Sequence, residues 1–147
     1  MERNILVSAC LLGVCCRYDG KGNPSENVQL LLNREDVTLI PVCPEQLGGM
    51  STPRTPSERL ADRVFSRDGD DVTEKFRQGA KSALQIAHMY RCQTAILKER
   101  SPSCGCGIIY DGSFSGTLTE GKGMTAELLE SNGIRILGES QISENFD

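Results

Sequence analysis

The sequence predicts an α/β fold built on a mainly parallel sheet. Three observations carry that prediction. Four short apolar runs, "NILVSA" (4–9), "VTLIPV" (37–42), "TAILK" (94–98) and "IRIL" (134–137), have the length and β-branched content of buried strands. Helical patterns or loops separate them, as strand–crossover–strand units require. The chain of 147 residues, 38% hydrophobic and 24% charged, is the size and composition of one domain around one core.

Taken in order, "NILVSA" is the first strand, and "LLGVCCRYDGKGNPSEN" a loop punctuated by Gly13, "DGKG" and Pro24. Ser25 is the expected N-cap of a short helix, "ENVQLLLNRE", in which Val28, Leu31 and Leu32 share a face. The second strand ends at Cys43-Pro44-Glu45, and 46–59 reads as a loop stiffened by Pro53 and Pro56. A hairpin is expected over 63–73 around Asp68-Gly69. Residues 73–90 are the longest helical pattern, with Phe76, Ala80, Ala83, Leu84, Ala87 and a half-buried His88 on one face. The third strand leads straight into "KERSPSCGCG". A second hairpin follows around Asp111-Gly112, then the glycine loop "TEGKGM" and a helix, "TAELLESN", closed by Asn132-Gly133. The last strand ends in a polar tail, "GESQISENFD", expected to be loose. The sum is a single-domain, Rossmann-like three-layer sandwich over 1–147 with one or two β-hairpin insertions.

A net charge of −4 argues against a protein whose main work is gripping a nucleic-acid backbone, although a local basic patch is compatible with it. No apolar run approaches the ~20 residues of a bilayer span. The opening "MERNILVSACLLGVCC" carries charges of both signs and is broken by Ser8 and Gly13, so it reads as a buried strand rather than a leader. The expectation is a cytoplasmic protein with no membrane partner. Nothing in the sequence specifies an oligomeric state.

Seven cysteines are then the feature to explain. The number is odd, and a cytoplasmic chain of this size rarely uses disulfides. Three cysteines follow strand ends: Cys10, Cys43 and Cys104. In a parallel sheet the carboxyl ends of the strands form one rim, where ligands bind. The three thiols should therefore converge although they lie far apart in sequence.

The spacing leaves several chemistries open. Cys15-Cys16 are adjacent and Cys104-x-Cys106 are one apart, and neither is the paired spacing of a structural zinc knuckle. Thiols gathered by the fold suit an iron–sulfur cluster, but the close-spaced cysteine run of ferredoxins is absent. Redox-active thiols and reduced core cysteines are the other readings. Glu45 and Ser101 flank the same rim. If three thiolates held a cluster, one iron would be open to an outside ligand, and soft iron favours sulfur. A carboxylate beside it could move protons and activate water. A solvated loop acid and an ordinary turn serine are the structural alternatives for Glu45 and Ser101.

Four blocks, "SACLLGVCCRYDG", "PVCPEQLGGMSTPRTPSE", "LKERSPSCG" and "GKGMTAELLESNGIRIL", together resemble the thiouracil desulfurase (thiouracil desulfidase) family of small bacterial proteins. They run in the family's order from Ser8 to about Leu137. The resemblance implies a 4Fe-4S cluster held by Cys10, Cys43 and Cys104, with the fourth iron free for the sulfur of a thiolated base. It implies Glu45 and Ser101 as the catalytic polar residues. It implies a non-redox reaction in which thiouracil and water give uracil and hydrogen sulfide.

Around that set, Cys16 rivals the three as an extra ligand or a pocket thiol, while Cys15, Cys92 and Cys106 read as spare or core thiols. Arg17, Tyr18 and Asp19 could close over a planar base, Tyr18 by stacking and the charged pair by bonding its edge. Arg54 could face an anion or pair with Glu58. The "GKGMT" loop opening a helix has the form of a weak anion site. Lys98, Glu99 and Arg100 could face the site or solvent. The competing functions are a sulfide-carrying or redox iron–sulfur protein of tRNA thiolation, and a zinc-stabilised binding module.

Overall fold

A computed structural model describes residues 3–143 and Phe146. Four strands form one parallel sheet: β1 (Arg3–Ser8), β2 (Val37–Val42), β5 (Thr94–Leu97) and β8 (Arg135–Gly138), in the order β2-β1-β5-β8. Ile5 pairs with Leu39 of β2, Val7 with Ile96 of β5, and Leu97 with Gly138 of β8. Each strand overlaps the apolar segment read from the sequence; the central strands β1 and β5 are buried on both faces and show no polar side, whereas the edge strand β2 leaves Thr38 and Pro41 exposed.

The chain leaves β1 toward one edge of the sheet and then returns past it to the other. Crossovers of one hand must therefore lie on opposite faces. Helix α1 (Glu26–Leu30) covers the first face, where Val28 and Leu31 meet Ile5, Val7, Leu39 and Ile96. Helices α3 (Thr73–Met89) and α4 (Met124–Ser131) cover the second, bringing Ala87, Ala126 and Leu129 onto Leu6, Ala95 and Leu97. Three layers result. The reversal of direction beside β1 opens a crevice at the carboxyl ends of β1, β2 and β5, the position where open α/β sheets bind ligands.

Both hairpins exist, and the first lies earlier than expected. It joins β3 (Ser57–Leu60) to β4 (Arg63–Ser66), and Asp68-Gly69 forms the turn that follows. Ala61 takes the left-handed conformation at the hairpin turn, φ 53°, so no glycine marks it. The second hairpin, β6 (Ile108–Tyr110) with β7 (Leu118–Glu120), carries Asp111-Gly112 in a longer loop.

Part of the expected loop 46–59 is ordered as the end of α2 (Pro44–Leu47) and as β3. His88 is exposed rather than half-buried. In the polar tail, Glu139–Gln141 form a short 3-10 turn, and Ile142 and Phe146 are buried against the α1 side of the core. Residues 144, 145 and 147 lie outside the described residues. Among the described residues no helix is long and apolar enough to cross a membrane.

Candidate active site

The crevice is a cavity of about 540 Å³ walled by the segments that follow the three strands. After β1 the chain winds into a 3-10 turn, Ala9–Leu12, which places Cys10 on the wall. Gly13 ends that turn at φ 92°, a left-handed value costly for any other residue. The loop is drawn back beneath it: the Gly13 and Asn23 amides donate to Cys10 O at 3.1 and 2.8 Å, and the Ser25 amide to Leu11 O at 2.9 Å. Cys16 returns to the cavity and is 2% exposed.

After β2, Cys43 caps α2, with Pro44 at the first helical position and Glu45 in the first turn. Gly48 and Gly79 let α2 touch α3 backbone to backbone. A Cβ on Gly79 would stand 1.9 Å from Pro44 O, and one on Gly48 2.0 Å from Lys75 O.

After β5, Ser101 caps the turn that carries the third thiol. Its hydroxyl accepts the amides of Ser103 (3.1 Å) and Cys104 (3.0 Å), and its carbonyl accepts the Gly105 amide (2.8 Å). The first amides of α4 hold the same turn, with Met124 N donating to Pro102 O at 2.9 Å and Thr125 N to Ser103 O at 2.8 Å. This corrects the reading of "GKGMT" as an anion site. Those helix-terminal amides are taken by the Cys104 turn, and Gly123 permits the approach, since a Cβ there would lie 2.4 Å from Ser103 O.

The polar side of the cavity is organised by Arg54. Its Nε donates to Glu45 Oε1 at 3.0 Å, Nη1 to Ser51 O and Thr52 Oγ1, and Nη2 to Cys16 O at 2.9 Å. Arg54 thus pairs with Glu45 and not with Glu58. Glu58 instead accepts the amides of Gly112 (3.0 Å) and Phe114 (3.1 Å), which brings the loop of the second hairpin to the cavity mouth. Tyr110 and Phe114 line it there, and the Arg67 guanidinium lies 5.9 Å from the Phe114 ring centre. Ser57 also lines the cavity, and its buried hydroxyl has no hydrogen-bond partner.

The structure therefore brings together Cys10, Cys16, Cys43, Cys104, Glu45, Ser101, Arg17 and Tyr18, and all eight line one cavity. Lys98, Glu99 and Arg100 line it as well. Asp19 does not. It lies outside the cavity wall because its carboxylate turns back to accept the Lys21 amide at 3.0 Å, closing its own loop. Arg17 lies 5.5 Å from the centre of the Tyr18 ring, and Tyr18 is well exposed at the rim. Cys15 is exposed, Cys92 belongs to the core, and neither they nor Cys106 reach the cavity. Two residues that matter locally carried little signal in the sequence. Ser103 is a serine inside a turn, and the partner of Arg54 depends on how the 51–54 loop folds over α2.

The thiols share one electrostatic setting. Hydrogen bonding with Cys10, helped by burial, raises the Cys16 thiol to about 11. Hydrogen bonding with Cys16 and burial push Cys43 up strongly. Burial pushes Cys104 up to about 12, against hydrogen bonds from Ser8 and Ser103. Without a metal these sulfurs are held as thiols.

All seven cysteines are free. Among the described residues no three histidine, cysteine, aspartate or glutamate side chains gather tightly enough to clasp a single metal ion. Soft sulfur donors spread around a cavity suit an inorganic core with volume of its own, which takes thiolate ligands from several sides. They do not suit a tetrahedral zinc clasp.

The chain resembles known proteins over nearly its whole length. The chain is 40% identical over 150 residues to the uncharacterized protein YbbK of Bacillus subtilis (strain 168), covering 95% of this chain and 98% of that protein. It is 42% identical to a solved structure described as the [4Fe-4S]-dependent thiouracil desulfidase TudS. That match has a TM-score of 0.88 and covers 95% of this chain and 93% of the other. The model of the 2-thiouracil desulfurase family matches residues 5–141. With the fold and a family match over nearly its whole length in agreement, the chain belongs to the 2-thiouracil desulfurase family.

Proposed function

We propose that the protein is an enzyme that removes sulfur from thiolated pyrimidine bases, converting thiouracil and water to uracil and hydrogen sulfide without net oxidation. One observation carries the reading: the three strand-end thiols and a paired carboxylate, Glu45, line the same cavity at the switch point of the sheet. A soft donor set beside a general base is what hydrolysis of a C–S bond calls for. Family membership and the likeness to a [4Fe-4S]-dependent desulfidase support the cofactor.

Cys10, Cys43 and Cys104 would hold a 4Fe-4S cluster, and Cys16 would stand beside them as a pocket thiol. When bound, the cluster would supply a soft Lewis acid for the substrate's sulfur. Glu45 takes a proton from water as its oxygen bonds to the ring carbon. As the C–S bond breaks, the proton of the new hydroxyl passes to the departing sulfur, which leaves as hydrosulfide while the carbonyl forms, and Glu45 then gives it the proton taken from water, releasing hydrogen sulfide. Each carboxylate oxygen of Glu45 has a second lone pair free for that water, because Arg54 and Ser103 occupy one on each. Ser101 lies on the cavity wall and fixes the turn that carries Cys104, its hydroxyl accepting the amides of Ser103 and Cys104. Tyr18 and Phe114 offer aromatic faces to a planar ring.

The test is turnover of 2-thiouracil by anaerobically reconstituted protein, with uracil and sulfide both measured. Equal amounts of the two products are expected, and Glu45→Gln should keep the broad visible absorption of the cluster and lose turnover. Brown, iron-loaded protein that releases no sulfide would overturn the reading.

A further inference from the structure

Ser103 stands between the two polar residues assigned to the reaction. The roles of the hydroxyls follow from counting protons, since a hydroxyl has one proton and two acceptor lone pairs. Ser101 Oγ already accepts two amides, those of Ser103 and Cys104. Only its proton is left to give, and Ser103 Oγ lies 3.1 Å away. Ser103 Oγ in turn lies 3.2 Å from Glu45 Oε2. A carboxylate only accepts, so Ser103 donates to Glu45 and accepts from Ser101. One arrangement satisfies the two amides on Ser101, the Ser101–Ser103 contact and the Ser103–Glu45 contact together: Ser101 to Ser103 to Glu45. Arg54 holds the other carboxylate oxygen at 3.0 Å, so the plane of the carboxylate is fixed from both ends.

Ser103 is well placed for this task. It is 2% exposed, and its carbonyl is clamped by the amides of Thr125 (2.8 Å) and Ala126 (3.1 Å). Cys104 Sγ competes for its proton at 3.7 Å. The shorter contact to a charged oxygen is the stronger one.

We propose that Ser103 is a positioning residue whose hydroxyl orients the Glu45 carboxylate and joins it to Ser101 in one directed hydrogen-bond chain. The proposal rests on the reading of Glu45 as the base. It adds a residue that acts through Glu45 and does no chemistry of its own.

The experiment is a double-mutant cycle of Ser103→Ala and Glu45→Gln in cluster-loaded protein, with two readouts besides turnover. Ser103→Ala should lower kcat about ten- to a hundredfold, the scale of one hydrogen bond to a charged group, with KM little changed. In the Glu45→Gln background it should cost nothing further, because the two act as a unit. The crystal structure of Ser103→Ala without its cluster should show the Glu45 carboxylate swung about its Arg54 contact. The reduction potential of the loaded variant should match that of wild type.

Full kcat in Ser103→Ala, or losses that simply add, would overturn the proposal. So would a shifted potential with unchanged kcat, which would mean that the hydroxyl serves the Cys104 sulfur. An active Glu45→Gln would instead overturn Glu45 as base. The carboxylate's place in the Ser103→Ala crystal would still decide whether Ser103 orients it.

Discussion

Arg54 and Glu45 form an ion pair at 3.0 Å with side chains only 5% and 15% exposed. The pair is a structural joint as well as an electrostatic one. The same guanidinium holds Cys16 O, Ser51 O and Thr52 Oγ1, so it ties the carboxylate of α2 to the loop that carries Cys16. Removing it strands a mostly buried carboxylate and frees three carbonyl or hydroxyl partners. Arg54→Ala is therefore expected to cost about 3 kcal/mol in urea unfolding and most of the activity. Arg54→Lys should recover only part of both, because a point charge cannot reproduce a fork that reaches three segments. Wild-type stability in Arg54→Lys would show that charge alone holds this corner.

The cysteines divide by position. Cys10→Ser, Cys43→Ser and Cys104→Ser each replace a soft sulfur on the cavity wall by a hard hydroxyl, and each should lower the iron and acid-labile sulfide bound per chain. Cys15→Ser and Cys92→Ala lie off the cavity and should leave both at wild-type levels. Cys16→Ser is the informative case. As a pocket thiol it should keep the iron, whereas iron loss equal to that of Cys43→Ser would make it a ligand.

The sheet and the rim of thiols were legible in the sequence for a common reason. Buried parallel strands are continuous apolar runs, and topology brings their ends together whatever their separation in the chain. What escaped was local. Asp68-Gly69 is the stronger turn signal in the sequence, while the turn of the first hairpin, at Ala61-Asp62, has no glycine and is held by its strand pairing. The buried tail residues Ile142 and Phe146 sit in a polar context that masks their role. Ser103 and the Arg54–Glu45 pair depend on side-chain directions within loops, which no periodicity encodes.

Gly79 offers a test of how the scaffold positions the site. It does not line the cavity, yet a methyl group there would stand 1.9 Å from Pro44 O and push α2 away from α3. That helix carries Glu45, and Cys43 is its cap. Gly79→Ala should therefore destabilise the protein by about 1–3 kcal/mol, although alanine favours helices, and should lower turnover as well. The measurements are thermal unfolding and kcat. A stabilised, fully active Gly79→Ala would mean that the α2–α3 contact is slack.

Protonation of the thiols should make folding and metal loading respond to pH in opposite directions. Cys16 is raised to about 11 by hydrogen bonding with Cys10 and by burial, Cys43 is raised by hydrogen bonding with Cys16 and by burial, and Cys104 is raised to about 12 by burial. A group whose value is raised on folding contributes stability that is complete below its unfolded value and is lost as pH climbs toward the folded one. From neutral pH the cluster-free protein should thus melt at a constant temperature up to about pH 9, the ordinary thiol value, and at falling temperatures between there and about pH 11. Metal ligation needs thiolates, so loading must expel these protons and grow more favourable over the same interval. Thermal melts of the cluster-free protein across that range check the first half, and proton release during anaerobic reconstitution in weak buffer checks the second. A melting temperature that stays flat through pH 11, with no protons released on loading, would show that the fold does not hold these sulfurs as thiols.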